Sequence, residues 1–524
     1  MIASVGATAA QDEDEIPAGG RGRVLRTWLP PALLGLAGLV VLLIHLRVPI
    51  PSDQANYLLA ARKFPDPVTG GTETHQITRF GLVVPTALAV NVFGYSQAAY
   101  AIVPILATLA LLLGTYAVGT LLFSRAVGVA AGVVVVAATP VFSDSTDLLP
   151  DVLAIALFTC ALALAIAVGD REGPPNTWVL VGLGVLLAWS YMAREFIVFL
   201  WPVVPVLLYR RVGLAGLAWI AAPIAALGVI ELLLCWRLYG DPLARLLSIT
   251  GHGSKPSTPE IASTYRDKPR MMYVLRLPNT LRTYPEGGLL VAAIGAMLLG
   301  ALAWPRRLAV PVAMCVLMWV PLTLLGGVLD PSAPKLRLQL IRYWFPIFPA
   351  FVLGGLAALW LLATVLGARL PDRGRVRAVL PAVAVLAAAS VVTGTAARDW
   401  WATPQTRAGG ATQLEAFRTW MHEHDGTYPR VWTDSDTRKI LPIYRNGPFG
   451  GEAWRAEIIG LRPGMTGPAA GDLVLFYDTE GGKVCPQCRS EARKAWGDTS
   501  GARPGWREVF ATPDRVVRAF AVSR

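Results

Sequence analysis

Three groups of ionisable side chains stand at the borders of long apolar blocks, where a charge is costly unless it is used. The first follows the opening apolar block. It comprises Pro51-Ser52-Asp53-Gln54-Ala55-Asn56-Tyr57 and, further on, Glu73, His75, Gln76 and Arg79. Ser52 and Asp53 are good helix caps, so Asp53 has a purely structural reading, but a cap alone does not need such polar company. The second group is Asp144, Asp147 and Asp151. Pro150 suits a first helical turn and acids there are favoured by the helix dipole, yet Asp151 runs directly into an apolar stretch and faces the bundle or its mouth. The third group, Lys335, Arg337 and Arg342, leads into Tyr343-Trp344-Phe345-Pro346. Snorkelling anchors with an aromatic belt would explain it. So would a phosphate clamp, because arginine presents a fork matched to phosphate oxygens. A carboxylate in reach of a hydroxyl can take its proton, and cations can hold charge that gathers on a departing phosphate.

The elements that must position these groups are set by hydropathy. The chain has 524 residues, 54% hydrophobic and only 16% charged, with mean hydropathy +0.50; soluble domains carry about 25% charged residues. The formal charge of +12 lies in short clusters between apolar blocks. That pattern points to membrane topology and anionic lipid, and not to nucleic acid. A spanning helix needs about 20 apolar residues, and eleven blocks qualify approximately: 28–46, 97–123, 126–142, 150–169, 178–193, 196–209, 213–238, 287–304, 308–329, 343–366 and 378–396. The run 178–209 is too long for one helix and carries Arg194-Glu195 at its middle, so it is divided there. With a cytoplasmic N-terminus, the inner connections then carry Arg125, Arg171, Arg210-Arg211, Arg306-Arg307 and Arg369 to Arg377, matching the positive-inside rule.

The expected fold is therefore an all-α polytopic bundle with a small α/β extracytoplasmic C-terminal domain, in a multi-pass plasma membrane protein of bacterial type. Residues 1–27 form a disordered cytoplasmic N-terminus, 28–396 the transmembrane domain with outer loops 48–95 and 240–286, and 397–524 the soluble outer domain. Stretch 81–94 is apolar but short, and is expected to lie in the interface. In the tail, Arg430 to Trp432, Asp472 to Tyr477 and Val516 to Val522 read as strands, and Gln413 to His422 as a helix. Cys160, Cys235 and Cys315 sit in apolar blocks as small fillers. Cys485 and Cys488, in Cys-Pro-Gln-Cys, leave a disulfide, free thiols or a metal or redox site open. Trp400, Trp401, Trp420, Trp432 and Trp454 are either sugar-stacking platforms or ordinary core aromatics.

The order and placement of these groups resemble the GT-C superfamily of membrane glycosyltransferases, in the branch holding protein O-mannosyltransferases and lipid A aminoarabinose transferases. The likeness covers about residues 25–366 in layout, through short motifs. The family's catalytic acid in the first outer loop, followed by a tyrosine and small residues, matches Asp53 with Tyr57. Its Asp opening the fourth helix matches Leu149-Pro150-Asp151-Val152-Leu153; its later Arg-Tyr with spaced prolines matches Arg342-Tyr343, Pro346 and Pro349; and Ala193-Arg194-Glu195 resembles a recurrent outer-edge arginine. Where many relatives have a second adjacent acid, this chain has Gln54. The resemblance implies transfer of a sugar from a polyprenyl-phosphate donor to a cell-envelope glycan, lipid or protein, with inversion. Asp53 would be the base. Arg342, Arg337 and Lys335 would hold the phosphate, assisted by Arg79 or His75; Asp151 would position acceptor or sugar, and Tyr57, Asp147, Arg194 and Tyr343 would complete the binding surface. No cofactor is required by this route; a divalent metal ion is an option, with Glu73 and His75 as candidate ligands. A transporter or flippase for a lipid-linked or anionic substrate is the main rival. It would favour ionisable residues at mid-membrane, whereas here the helix centres are almost free of charge and polar groups gather on one face.

Overall fold

The structure, a computed structural model, describes residues 20–46, 49, 53–67, 74–252, 263–370, 374–402, 411–446, 454–461, 465–477, 497 and 503–523. It is an all-α bundle of apolar helices followed by a small domain built on a five-stranded sheet. Among the described residues six helices are long and apolar enough to cross a membrane: Gln97–Leu122, Pro150–Asp170, Val203–Tyr239, Ala309–Val328, Ile341–Ala368 and Gly374–Ala402. By length and composition, then, six helices qualify as spans and not the expected eleven, the other apolar blocks forming shorter helices. Hydropathy sums apolar residues without seeing the helix breaks inside them. Block 126–142 is interrupted at Ala138 (ψ 126°), which separates Arg125–Ala137 from the short helix Thr139–Asp144. Phe80–Phe93, Thr177–Ala193 and Gly287–Ala303 are apolar helices of no more than 17 residues, and the first helix, Gly20–Ile44, has its apolar part in Trp28–Ile44.

The division at Arg194-Glu195 does occur. Helix Thr177–Ala193 stops where Arg194 turns extended (φ −148°, ψ 119°), and a 3-10 segment, Glu195–Leu200, begins the way back. Blocks 196–209 and 213–238 then meet at a sharp reversal on Gly213, whose φ of 62° suits a residue without Cβ. Arg211 beside this reversal donates to the carbonyls of Arg171 and Gly173, near the start of Thr177–Ala193. At the opposite end of that helix, Arg245 donates to Glu231 and to the carbonyl of Tyr191. The chain therefore returns across the bundle between Arg194 and Arg211 and crosses again to Tyr239, which brings Asp151, Arg194 and Arg245 to one end.

Capping and small residues explain the local order. Ser96 and Ser124 accept from the backbone amides of Ala99 and Val127 at 3.3 Å, starting their helices. Gly128 lies against helix Gln97–Leu122 so closely that a Cβ there would stand 2.4 Å from the Tyr116 carbonyl, the small-residue contact that lets membrane helices approach.

In the C-terminal domain the strands β1 (Arg430–Thr433), β2 (Glu457–Gly460), β3 (Leu473–Tyr477), β4 (Trp506–Ala511) and β5 (Val517–Val522) run in the order β2-β1-β3-β5-β4. β1 is parallel to β2 and β3, and β5 antiparallel to β3 and β4. The three expected strands are present; β2 and β4 are additional. Helices Ala411–Glu423 and Thr437–Asn446 accompany the sheet. One hydrophobic core joins the domain to the bundle: Leu42, Tyr57, Leu58, Tyr100, Phe142 and Leu149 cluster with Phe417, Ile440, Leu441, Tyr444 and Leu473. Trp400 stacks on Phe142 at 4.2 Å within it, and Trp400, Trp432 and Trp454 are all buried, which makes them core aromatics. Trp420 stacks on His424 and Tyr428; Trp401 is exposed. Cys485 and Cys488 lie outside the described residues.

Candidate functional site

The first-loop helix, Asp53–Lys63, carries Asp53 in its opening turn, where the helix dipole favours a carboxylate. Its Oδ2 accepts from Arg342 Nη2 at 2.9 Å, and its Oδ1 from Gln76 Nε2 at 2.8 Å. Gln76 is oriented in turn by Asn56, whose Nδ2 donates to its Oε1 at 2.6 Å. The Asp53 and Arg342 side chains keep 35% and 26% exposure, so this pair lines an opening where a ligand can reach it. Arg342 Nε has no hydrogen-bond partner, which leaves donor capacity on the same guanidinium.

Behind the pair lie three buried sets of polar groups. In the first, Asp147 accepts from Tyr100 Oη at 2.9 Å and from Gln54 Nε2 at 3.3 Å. The departure at position 54 thus has a local reason: an amide donor faces Asp147, where a second carboxylate would repel it. In the second, Asp151 and Arg194 form an ion pair at 3.1 Å with side chains 1% and 4% exposed. The pair is close but not aligned as a hydrogen bond, and both Asp151 oxygens lack a hydrogen-bond partner. Arg194 lies beside two neighbouring rings, Phe196 and Tyr343, 4.7 and 4.9 Å from their centroids.

The third set is a chain of alternating charge. Arg79 donates to Tyr57 Oη and pairs with Glu195 at 3.4 Å. Glu195 stands 3.9 Å from Arg245, which pairs closely with Glu231. Burial alone would raise the Glu195 carboxyl, but Arg79, Arg194 and Arg245 outweigh it and hold the group down at about 2. Burial pushes the Tyr57 hydroxyl above its ordinary value, so it meets Arg79 as a neutral phenol. Buried charges of this kind are tolerated because each is paired.

The sequence-predicted residues thus divide. Asp53, Tyr57, Arg79, Asp147, Asp151, Arg194, Arg342 and Tyr343 belong to these sets. Lys335 and Arg337 do not: Lys335 is exposed, its backbone amide donating to the Leu325 carbonyl, while Arg337 lies 5.6 Å over the Tyr265 ring. Of the three cations, Arg342 is the one whose described contact is with Asp53, while Arg337 is engaged elsewhere and Lys335 is exposed. Of the metal candidates, Glu73 lies outside the described residues, as does the side chain of His75. Among the described residues no group of three or more His, Cys, Asp or Glu side chains is placed to hold a metal ion. Asn56, Tyr100, Glu195, Glu231 and Arg245 were given no site role from the sequence, although Asn56 and Glu195 stand within the motifs quoted from it. Glu195, adjacent to Arg194 at the helix break, carried the clearest available signal.

No family model matches the chain, and no curated protein matches its sequence. Solved structures do match its fold. ArnT from Cupriavidus metallidurans bound to undecaprenyl phosphate aligns over 96% of this chain and 98% of its own, with TM-score 0.55 and 14% identity. The same protein in the apo state gives 0.53 at 13% identity, with the same coverage. The Archaeoglobus fulgidus oligosaccharyltransferase, in complex with Zn and sulfate, aligns over 94% of this chain and 73% of its own at TM-score 0.50 and 14% identity. At this level of identity the likeness is one of fold, which the chain shares with both proteins.

Proposed function

We propose that this chain is a membrane glycosyltransferase that moves a sugar from a polyprenyl-phosphate donor to a hydroxyl of a cell-envelope acceptor on the outer face, with inversion. The observation that carries the reading is the meeting of Asp53 and Arg342 at the mouth of a set of buried carboxylates and guanidiniums. A lipid tail can lie against the apolar helices while its phosphate reaches Arg342. The ArnT structure of like fold holds undecaprenyl phosphate, which supports the same donor class here.

In this reading Asp53 takes the proton of the acceptor hydroxyl, and the hydroxyl oxygen attacks the anomeric carbon. The bond from that carbon to the phosphate oxygen breaks, and its electron pair leaves on the phosphate. One base and no enzyme nucleophile suffice, so the anomeric configuration inverts. Arg342 passes from Asp53 towards the phosphate as charge grows there, a role that uses its unfilled Nε. Asp151, buried and without a hydrogen-bond donor, accepts from a hydroxyl of the sugar or acceptor. Arg79 and Arg194 keep Tyr57 and Tyr343 in place. Lys335 and Arg337 contribute attraction for the anionic headgroup at a distance. The N-terminus is cytoplasmic and the C-terminal domain extracytoplasmic.

Proteoliposomes carrying the purified chain, given labelled polyprenyl-phosphate sugars or nucleotide sugars with cell-envelope fractions, test the donor class. The expected result is release of free polyprenyl phosphate with label in the acceptor, from the lipid donor alone. Passage of the intact lipid donor between leaflets without bond cleavage would instead identify a flippase.

A further inference from the structure

We infer that the C-terminal domain sets the position of the Asp53 helix through two tyrosine hydroxyls, with Tyr444 and Tyr95 as positioning residues; the inference rests on the reading of Asp53 as the reacting carboxylate. Tyr444 Oη, fully buried, donates to the carbonyl of Pro49 at 2.8 Å, four residues before Asp53. Tyr95 Oη donates to the carbonyl of Lys439 at 3.0 Å, and Arg62, in the last turn of the Asp53 helix, lies 4.8 Å over the Tyr95 ring. Both contacts end on one element of the domain, helix Thr437–Asn446, and between them they hold both flanks of Asp53–Lys63.

That helix is itself fixed to the sheet. Asp434, immediately after β1, accepts from the backbone amide and hydroxyl of Thr437 at 2.9 and 2.6 Å, and Ile440, Leu441 and Ile443 are fully buried in the joint core. A path of hydrogen-bonded and packed groups therefore runs from β1 through the Asp434 cap and Tyr444 to the backbone of Pro49. The hydroxyls are not needed for the domain to fold, since each bonds outside its own unit while the aromatic rings do the packing. The Tyr444 bond ends four residues before Asp53, and the Tyr95 bond ties to the domain the ring on which Arg62 of the Asp53 helix lies; a carboxylate that must meet both Arg342 and an acceptor hydroxyl gains from such fixing.

Full-length Tyr444→Phe and Tyr95→Phe proteins, in the same lipid, are to be compared with wild type by hydrogen exchange and by sugar transfer. The expected result is exchange about 3–10-fold faster in peptides covering 53–63, the effect of one lost hydrogen bond, with peptides covering 473–477 unchanged. Turnover should fall by a similar factor at unchanged donor KM. Unaltered exchange in 53–63, or an increase spread equally over 473–477, overturns the inference. The exchange arm reads the positioning even if wild type transfers no sugar, a result that would refute the proposed function by itself.

Discussion

Asp53 and Arg342 are 289 positions apart in sequence and 2.9 Å apart in space. At the scale of single residues, the site is a set of charges each held by a partner from elsewhere in the chain, and Glu195 is the one that holds most. Its carboxyl serves Arg79 and Arg245 directly, and lies within the field of Arg194. Because it is lowered from 4.5 to about 2 in the folded protein, it contributes stability that is complete above pH about 4.5. That contribution is lost as pH falls towards about 2, because the unfolded chain takes up the proton first. Thermal unfolding in detergent should therefore show midpoints dropping across this window for wild type, and a shallower drop for Glu195→Gln. Equal slopes would mean that Glu195 is not held by the three arginines. The residue types of the site were legible in sequence because charge at the edge of an apolar block stands out. Their pairings were not. Nothing local in Lys335, Arg337 and Arg342 says that the last pairs with Asp53, and Gln54, which reads as a missing acid, gives no sign of the Asp147 opposite it.

At the scale of elements, close backbone contacts hold the charges in register. Gly81 packs on the end of helix Thr177–Ala193, where a Cβ would stand 2.4 Å from the amide nitrogen of Ala193. Trp189 Nε1 donates to the Gly81 carbonyl at 2.8 Å across the same contact. Backbone cannot yield as a side-chain end can, so Gly81→Ala should push helix Phe80–Phe93 away and separate Arg79 from Glu195. The expected cost is about 1–3 kcal/mol, read as a lowered unfolding midpoint together with loss of activity. Gly182→Ala, which meets nothing within 4 Å, should change neither. Hydropathy located the blocks, and the charge at Arg194-Glu195 marked a true reversal. It expected more full-length apolar helices than the six among the described residues, because breaks such as Ala138 lie inside uniformly apolar sequence, where composition is constant and only the backbone changes.

At the scale of the whole molecule, the bundle and the C-terminal domain share a core, and the site lies where they meet. The strands β1, β3 and β5 were legible from apolar runs bounded by polar residues. β4, with Arg507 and Glu508 exposed, lacks that pattern and was not. If the basic clusters face the cytoplasm, a phosphatase reporter fused at the C-terminus should be active in intact cells and a fluorescent reporter that folds only inside should be dark. The reverse result would move the carboxylates to the cytoplasmic side and remove the proposed reaction from the outer face. The decisive quantity is turnover of a defined polyprenyl-phosphate sugar by Asp53→Asn in proteoliposomes, alongside wild type. Loss of about 10²–10⁴-fold with donor binding and folding retained is the predicted outcome. Wild-type turnover in that variant would show that Asp53 is not the base.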